Sequence, residues 1–290
     1  MRLKGKESQL TRFLQDTGET RQRQRVLVAG FDDGALKKKA AEAYKAGSQS
    51  DKETNKQNIT TNITAQNTPR FSAMLEKAKE TAGTEYIDSI KKTFGAGSEK
   101  AKALVERYAP DNINFVTDDI THTDKNGELF INYKDDLADE HGADMIFFHE
   151  MGHVIDHKNN YISVDSGFNE ELYFDAENIV DSLAPTQGKK KITKKDYDIA
   201  MRRLMEKYSD NNAADGLSDI LGGATDNMLR FGYGHGDKYW KKNSVNLELE
   251  TFADFFEAQF NGESNKILRD HLPNTAAIFD EIMLKLFGGE

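Results

Sequence analysis

The spacing of apolar residues divides the chain near residue 69. Downstream, apolar positions recur three and four apart and predict helices over 71–81, 86–94 and 99–108. The run Gly95-Ala96-Gly97-Ser98 closes the second of these, and Pro110 closes the third. Short extended stretches at 114–117 and 129–133 predict strands, and Asn126-Gly127 between them signals a hairpin. A helix is predicted over 143–158, apolar at Met145, Ile146, Phe148, Val154 and Ile155. Residues 159–187 read as acidic and irregular, 189–195 as a basic surface loop, and 197–208 as a helix. Further helices are predicted over about 247–260 and 275–286, and no internal repeat is present.

Upstream, residues 1–47 read as short basic helical pieces interrupted at Gly30 and Gly34. Residues 48–69 are Ser, Gln, Asn, Thr and Lys with few apolar side chains. They bury too little surface to offset ordering entropy. The organisation expected is a basic, partly disordered arm and linker over 1–69, followed by one α+β, mostly helical domain over 70–290. A small sheet is expected beside the helix at 143–158.

Charge sharpens that division. The 290-residue chain carries a net charge of −10, yet residues 1–70 hold 14 Lys/Arg against 8 Asp/Glu, a net of +6. The acidic remainder argues against general nucleic-acid binding, so any contact with nucleic acid is expected through residues 1–70. The absence of cysteine excludes disulfides and thiolate metal sites, leaving His and carboxylates as the strong ligands. Neither an apolar h-region after Met1 nor a membrane-length run is evident, so a cytoplasmic protein is expected. Release by lysis, or carriage inside a particle, is compatible with the same features.

The candidate chemistry lies in the 143–158 helix, where His149, Glu150 and His153 spell H-E-x-x-H. Four residues of helix advance about 6 Å and turn about 400°, so the two imidazoles share one face and can hold one Zn²⁺. Glu150 then stands beside the metal as a base. Catalytic zinc needs a third protein ligand, and His157 lies too far along the axis from His149 to serve. The helix carrying Glu250-Thr-Phe-Ala-Asp254 meets the need: Glu250 to reach the metal, with Glu248 and Glu257 as competitors. Asp254, one turn on, is placed to accept the free N–H of a ligating imidazole. Phe252, Phe255 and Phe256 would bury the helix's other side. Asp156, seven residues after His149, shares its face and either braces the site or caps nearby backbone. His122, His141, His157 and His271 have no partner at ligand spacing and read as surface or structural.

H-E-x-x-H followed by a distant E-x-x-x-D resembles the gluzincin metallopeptidases. The stretches His149-Glu-Met-Gly-His-Val-Ile-Asp156 and Glu250-Thr-Phe-Ala-Asp-Phe-Phe-Glu-Ala258 are similar to the anthrax-lethal-factor-like branch, which includes bacterial proline-specific endopeptidases. Leu217-Ser-Asp-Ile-Leu-Gly-Gly223 and Gly232-Tyr-Gly-His-Gly-Asp-Lys-Tyr-Trp240 resemble metallopeptidase-type domains of phage minor head proteins. The resemblance covers roughly residues 110–260 and is patchy between motifs. It implies a zincin-like fold with one zinc per chain on His149, His153 and Glu250, and Glu150 as the base. It implies a protein or peptide substrate, and phage head proteins as partners of the basic arm. The family also carries a Tyr shortly before the third ligand that donates to the oxyanion. This chain departs there: Asn243 stands seven residues before Glu250, and the nearest tyrosine is Tyr239. Tyr239 or His235 would fill that role, and the strand around 130–133 would pair with an extended substrate. The activity expected is zinc-dependent peptide hydrolysis. A catalytically idle particle protein and a delivered protease toxin are the alternatives.

Overall fold

The computed structural model describes residues 69–164, 166–184 and 192–287. The arm and linker expected over 1–69 therefore lie, apart from Pro69, outside the described residues, as do residues 189–191 of the basic loop expected at 189–195. What is described is mostly helical with one small sheet.

Helix α1 (Arg70–Ala96) merges the first two predicted helices into one bent rod. The bend is at Gly83, whose φ of 81° lies in the left-handed region that favours glycine. Ser98 caps α2 (Glu99–Tyr108), its side chain accepting from the Ala101 N–H.

Three short strands follow: β1 (Asn114–Phe115), β2 (His122–Thr123) and β3 (Leu129–Ile131). Their order is β1-β3-β2, with β3 parallel to β1 and antiparallel to β2. Two expectations are corrected here. The hairpin joins β2 to β3, its turn held by the Asp124 carboxylate accepting from the Asn126 and Glu128 N–H groups. And β3 is the central strand, paired on both sides, so it has no edge to offer a substrate; β1 and β2 are the outer strands. Tyr133 continues no strand but opens a short helix, α3 (Tyr133–Ala138), because the Asn132 side chain caps it.

Helix α4 (Ala143–Lys158) has the predicted bounds. The stretch read as irregular contains α5 (Phe168–Leu183). Its acidic residues flank an apolar stripe of Phe168, Leu172, Ala176, Ile179 and Val180, all buried, and that periodicity outweighs the charge. A Thr193–Asp196 capping box starts α6 (Lys194–Tyr208). After it come α7 (Asp215–Ala224), α8 (Asp237–Lys242), α9 (Asn246–Glu257), α10 (Gly262–His271) and α11 (Pro273–Leu286). Asp175 of α5 accepts from the N–H groups of Asn274 and Thr275 and so caps α11 from a distance.

One apolar core runs through the described residues from Phe71 to Leu286. At its centre α4 lies against α9. An ideal Cβ on Gly152, between the two motif histidines, would sit 2.9 Å from the Ala253 Cα, so only glycine allows this approach. Phe252, Phe255 and Phe256 are fully buried, as expected. Each contributes about 1.5–3 kcal/mol of burial free energy. Every residue of α9 is buried, its four carboxylates included. Among the described residues no helix is long and apolar enough to cross a membrane.

Candidate metal centre

Helical spacing stacks His149 and His153 on one face of α4, their ring centroids 4.9 Å apart. The Gly152–Ala253 contact brings α9 close enough for Glu250 to meet both. Its Oε2 is 3.1 Å from His149 Nε2 and 3.4 Å from His153 Nε2. Neither competitor takes that place. Glu248 turns to α5, accepting from the Asn169 side-chain amide. Glu257 meets the opposite nitrogen of His149: its Oε2 lies 3.3 Å from Nδ1, beside Asp254 Oδ1 at 3.2 Å. Asp254 is thus where the spacing predicts, sharing the Nδ1 proton of His149 with Glu257.

Electrostatics follow from this packing. Burial disfavours charge on Glu250, yet the imidazoles of His153 and His149 hold it well below the usual carboxylate range. Burial likewise works against a charged His149, but its bonds to Asp254, Glu250 and Glu257 carry it well above the ordinary imidazole value. Asp254 is pushed upward by burial, against the pull of His149.

Further groups complete the cleft. Glu150 is 9% exposed, and its Oε2 has no hydrogen-bond partner among the described residues. Tyr239 donates its hydroxyl to Glu250 Oε1. Burial, then the Glu250 charge, raises that phenol far above its ordinary value and keeps it a donor. Tyr239 comes from α8, eleven residues before Glu250, so its helix supplies a hydroxyl despite the departure at Asn243. The ring of His235 stacks on Tyr239 at 3.9 Å, and its Nδ1 lies 2.9 Å from Asp219 Oδ2. Asp156 serves the loop that follows α4. It accepts from the Ser163 N–H at 2.9 Å and hydroxyl at 2.7 Å, which fastens the loop after α4.

Sequence reasoning missed Asp219, Asp215 and the part played by His141. His141 bridges Asp215 Oδ2 at 3.1 Å and Glu257 Oε1 at 3.0 Å, so it holds Glu257 toward His149. Burial opposes its charge, but Glu257 and Asp215 lift its pKa to about 10. The one signal in the sequence was the glycine-rich run at 232–236. An ideal Cβ on Gly234 would lie 2.8 Å from Asp219 Oδ1, so that run lets the loop settle on α7.

These residues wall a cleft of about 460 Å³. One wall is formed by β2 and the residues just before it, Ile120 to Thr123. Once the imidazoles give up a proton, His149, His153 and Glu250 offer two neutral nitrogens and one anionic oxygen that can hold a metal ion, and their ligand atoms all lie within 4.8 Å of one another. The edges of a tetrahedron with bonds of about 2.0–2.1 Å are about 3.3 Å, close to the 3.1 and 3.4 Å between these atoms. No family model, curated protein or solved structure matches this chain.

Proposed function

We propose that the protein is a zinc-dependent endopeptidase with a zincin-like fold. The observation that carries this reading is the meeting of His149, His153 and Glu250 from two helices, with Asp254 behind one imidazole and the unpartnered Glu150 Oε2 beside them. Zinc held there would supply Lewis acidity, polarising a scissile carbonyl and lowering the pKa of water. The chain's own groups do the rest. Glu150 takes a proton from the attacking water and passes it to the leaving amine. Tyr239, neutral and half-buried, donates to the oxyanion, and His235, fixed by Asp219, is a second donor on the same side. Asp254 and Glu257 hold the His149 ring by Nδ1 and leave Nε2 for the metal. The outer strand β2, rather than β3, is the edge along which an extended peptide would pair.

Purified protein is expected to retain about one tightly bound zinc per chain. Glu150→Gln should keep that zinc and lose all cleavage of a peptide library. Metal-free protein, or equal turnover by Glu150→Gln, would overturn the proposal. Association with a phage particle through residues 1–70 rests on the resemblance and on that segment's charge. Salt-sensitive DNA binding without turnover would point to an idle particle protein. Toxicity that Glu150→Gln abolishes would point to a delivered protease.

A further inference from the structure

Beside the first triad lies a second that shares one of its members. Asp219, His235 and Glu250 also bring three ligand atoms within 4.8 Å of one another. We propose that the cleft binds a second divalent cation on these residues, with the Glu250 carboxylate bridging it to the first. The proposal rests on reading His149, His153 and Glu250 as ligands of a first metal.

The geometry is that of a built site. Asp219 is 2% exposed on α7, and its Oδ2 stands 2.9 Å from His235 Nδ1. His235 reaches it only because Gly234 has no side chain to strike Asp219. Trp240 then pins the loop, its indole N–H donating 3.0 Å to the His235 carbonyl. Glu250 has the capacity to be shared. A carboxylate offers about four lone-pair directions, and the imidazoles and Tyr239 use opposite oxygens. Carboxylates bridge paired ions about 3.5–4 Å apart in two-metal hydrolases generally.

Charge supplies an independent argument. Nine carboxylates line this cleft against a single lysine, Lys242, and five histidines. Several of the carboxylates are buried, where unbalanced charge is costly. Asp254, 5% exposed and lining the same cavity, has an Oδ2 to which no described residue donates, and the Asp219 charge bears on it. One dication leaves this group strongly negative; a second relieves it. With one imidazole and two carboxylates the second site has a harder donor set than the first and suits Zn²⁺ or Mn²⁺. It should be the weaker of the two for zinc.

The test is zinc titration of chelator-stripped full-length protein against a chromophoric competitor, with circular dichroism confirming the fold of each variant. Wild type should take about two zinc ions per chain, in a tight and a weaker class. Asp219→Asn should keep the tight class and lose the weaker one. His235→Ala, in a partly exposed loop, should do the same and serves if Asp219→Asn disturbs folding. His153→Ala should abolish the tight class. A single equivalent in wild type overturns the second site and leaves the first standing. Two equivalents in both the Asp219 and His235 variants also overturn it, since the second ion then binds elsewhere. No bound zinc at all overturns both readings.

Discussion

Gly152→Ala tests the contact on which the proposed metal centre depends. The added Cβ would sit 2.9 Å from the Ala253 Cα and 3.3 Å from the Phe256 Cβ. Carbon atoms rest about 3.5–4.0 Å apart, so α4 and α9 must separate by roughly 0.5–1 Å or bend. Overpacking of this kind costs about 1–3 kcal/mol. The greater helix propensity of alanine returns about 1 kcal/mol, which leaves a net loss of about 0–2 kcal/mol. For a folded body of this size that is up to roughly 8 °C in Tm. The functional effect should be larger. Ligand positions tolerate only about 0.2 Å, and the shift carries Glu250 away from both imidazoles. Zinc affinity should therefore fall by at least about tenfold, a loss of about 1.4 kcal/mol in binding. Gly95→Ala is the control, since a Cβ there meets nothing within 4 Å. It lies near the end of α1 and should be neutral or stabilising by up to about 1 kcal/mol. Thermal unfolding and zinc competition on the three proteins read both effects. Wild-type stability and zinc affinity in Gly152→Ala would refute the close approach of the two helices.

Four other outcomes follow from the same geometry. Asp254→Ala removes an acceptor of the His149 Nδ1 proton and should weaken zinc binding about 10–100-fold by competition titration, with little change in fold. Tyr239→Phe should keep zinc and lower kcat by roughly a hundredfold, as expected for loss of one oxyanion donor; an unchanged kcat would remove Tyr239 from the mechanism. Zinc at about a hundred times its Kd should raise stability by about 2.7 kcal/mol, and excess chelator should reverse the Tm increase. Glu177 bears on stability alone. Burial, then the neighbouring Asp181 charge, raises its pKa to about 7 from 4.5. Its charged form is therefore disfavoured in the folded state, and the penalty grows as pH rises from 4.5 to about 7 and is complete above that. Discounted for partial exposure, Glu177→Gln should stabilise the protein by about 1–2 kcal/mol at pH 8 and by nothing at pH 4 in urea unfolding.

The parts of the site legible in the sequence are those fixed by local geometry. His149, Glu150 and His153 follow from the helical repeat, and a zinc ion short of one ligand called for a carboxylate that the Glu250-to-Asp254 spacing supplied. The sheet was read wrongly for a related reason. Two-residue strands carry almost no alternation, so the 122–123 strand went unseen and the Asn-Gly turn was assigned the wrong partner. What escaped were three other links between distant segments: Asp215 to His141, Asp219 to His235, Glu257 to His149. A carboxylate on a helix reads as solvated until something shows that its helix is buried all round. For α9 that information lies in the partner helix, where a glycine between two histidines permits contact. Once α9 is known to be buried, its charges interpret themselves. Glu250 faces His149 and His153, Asp254 faces His149, and Glu257 faces both His149 and His141. Three of the four buried acidic residues of α9 are met by an imidazole from α4 or the loop before it, a pattern that core packing has no need of and that cation binding does. That matching ties Asp254, Glu257 and His141 to the same chemistry as the motif histidines.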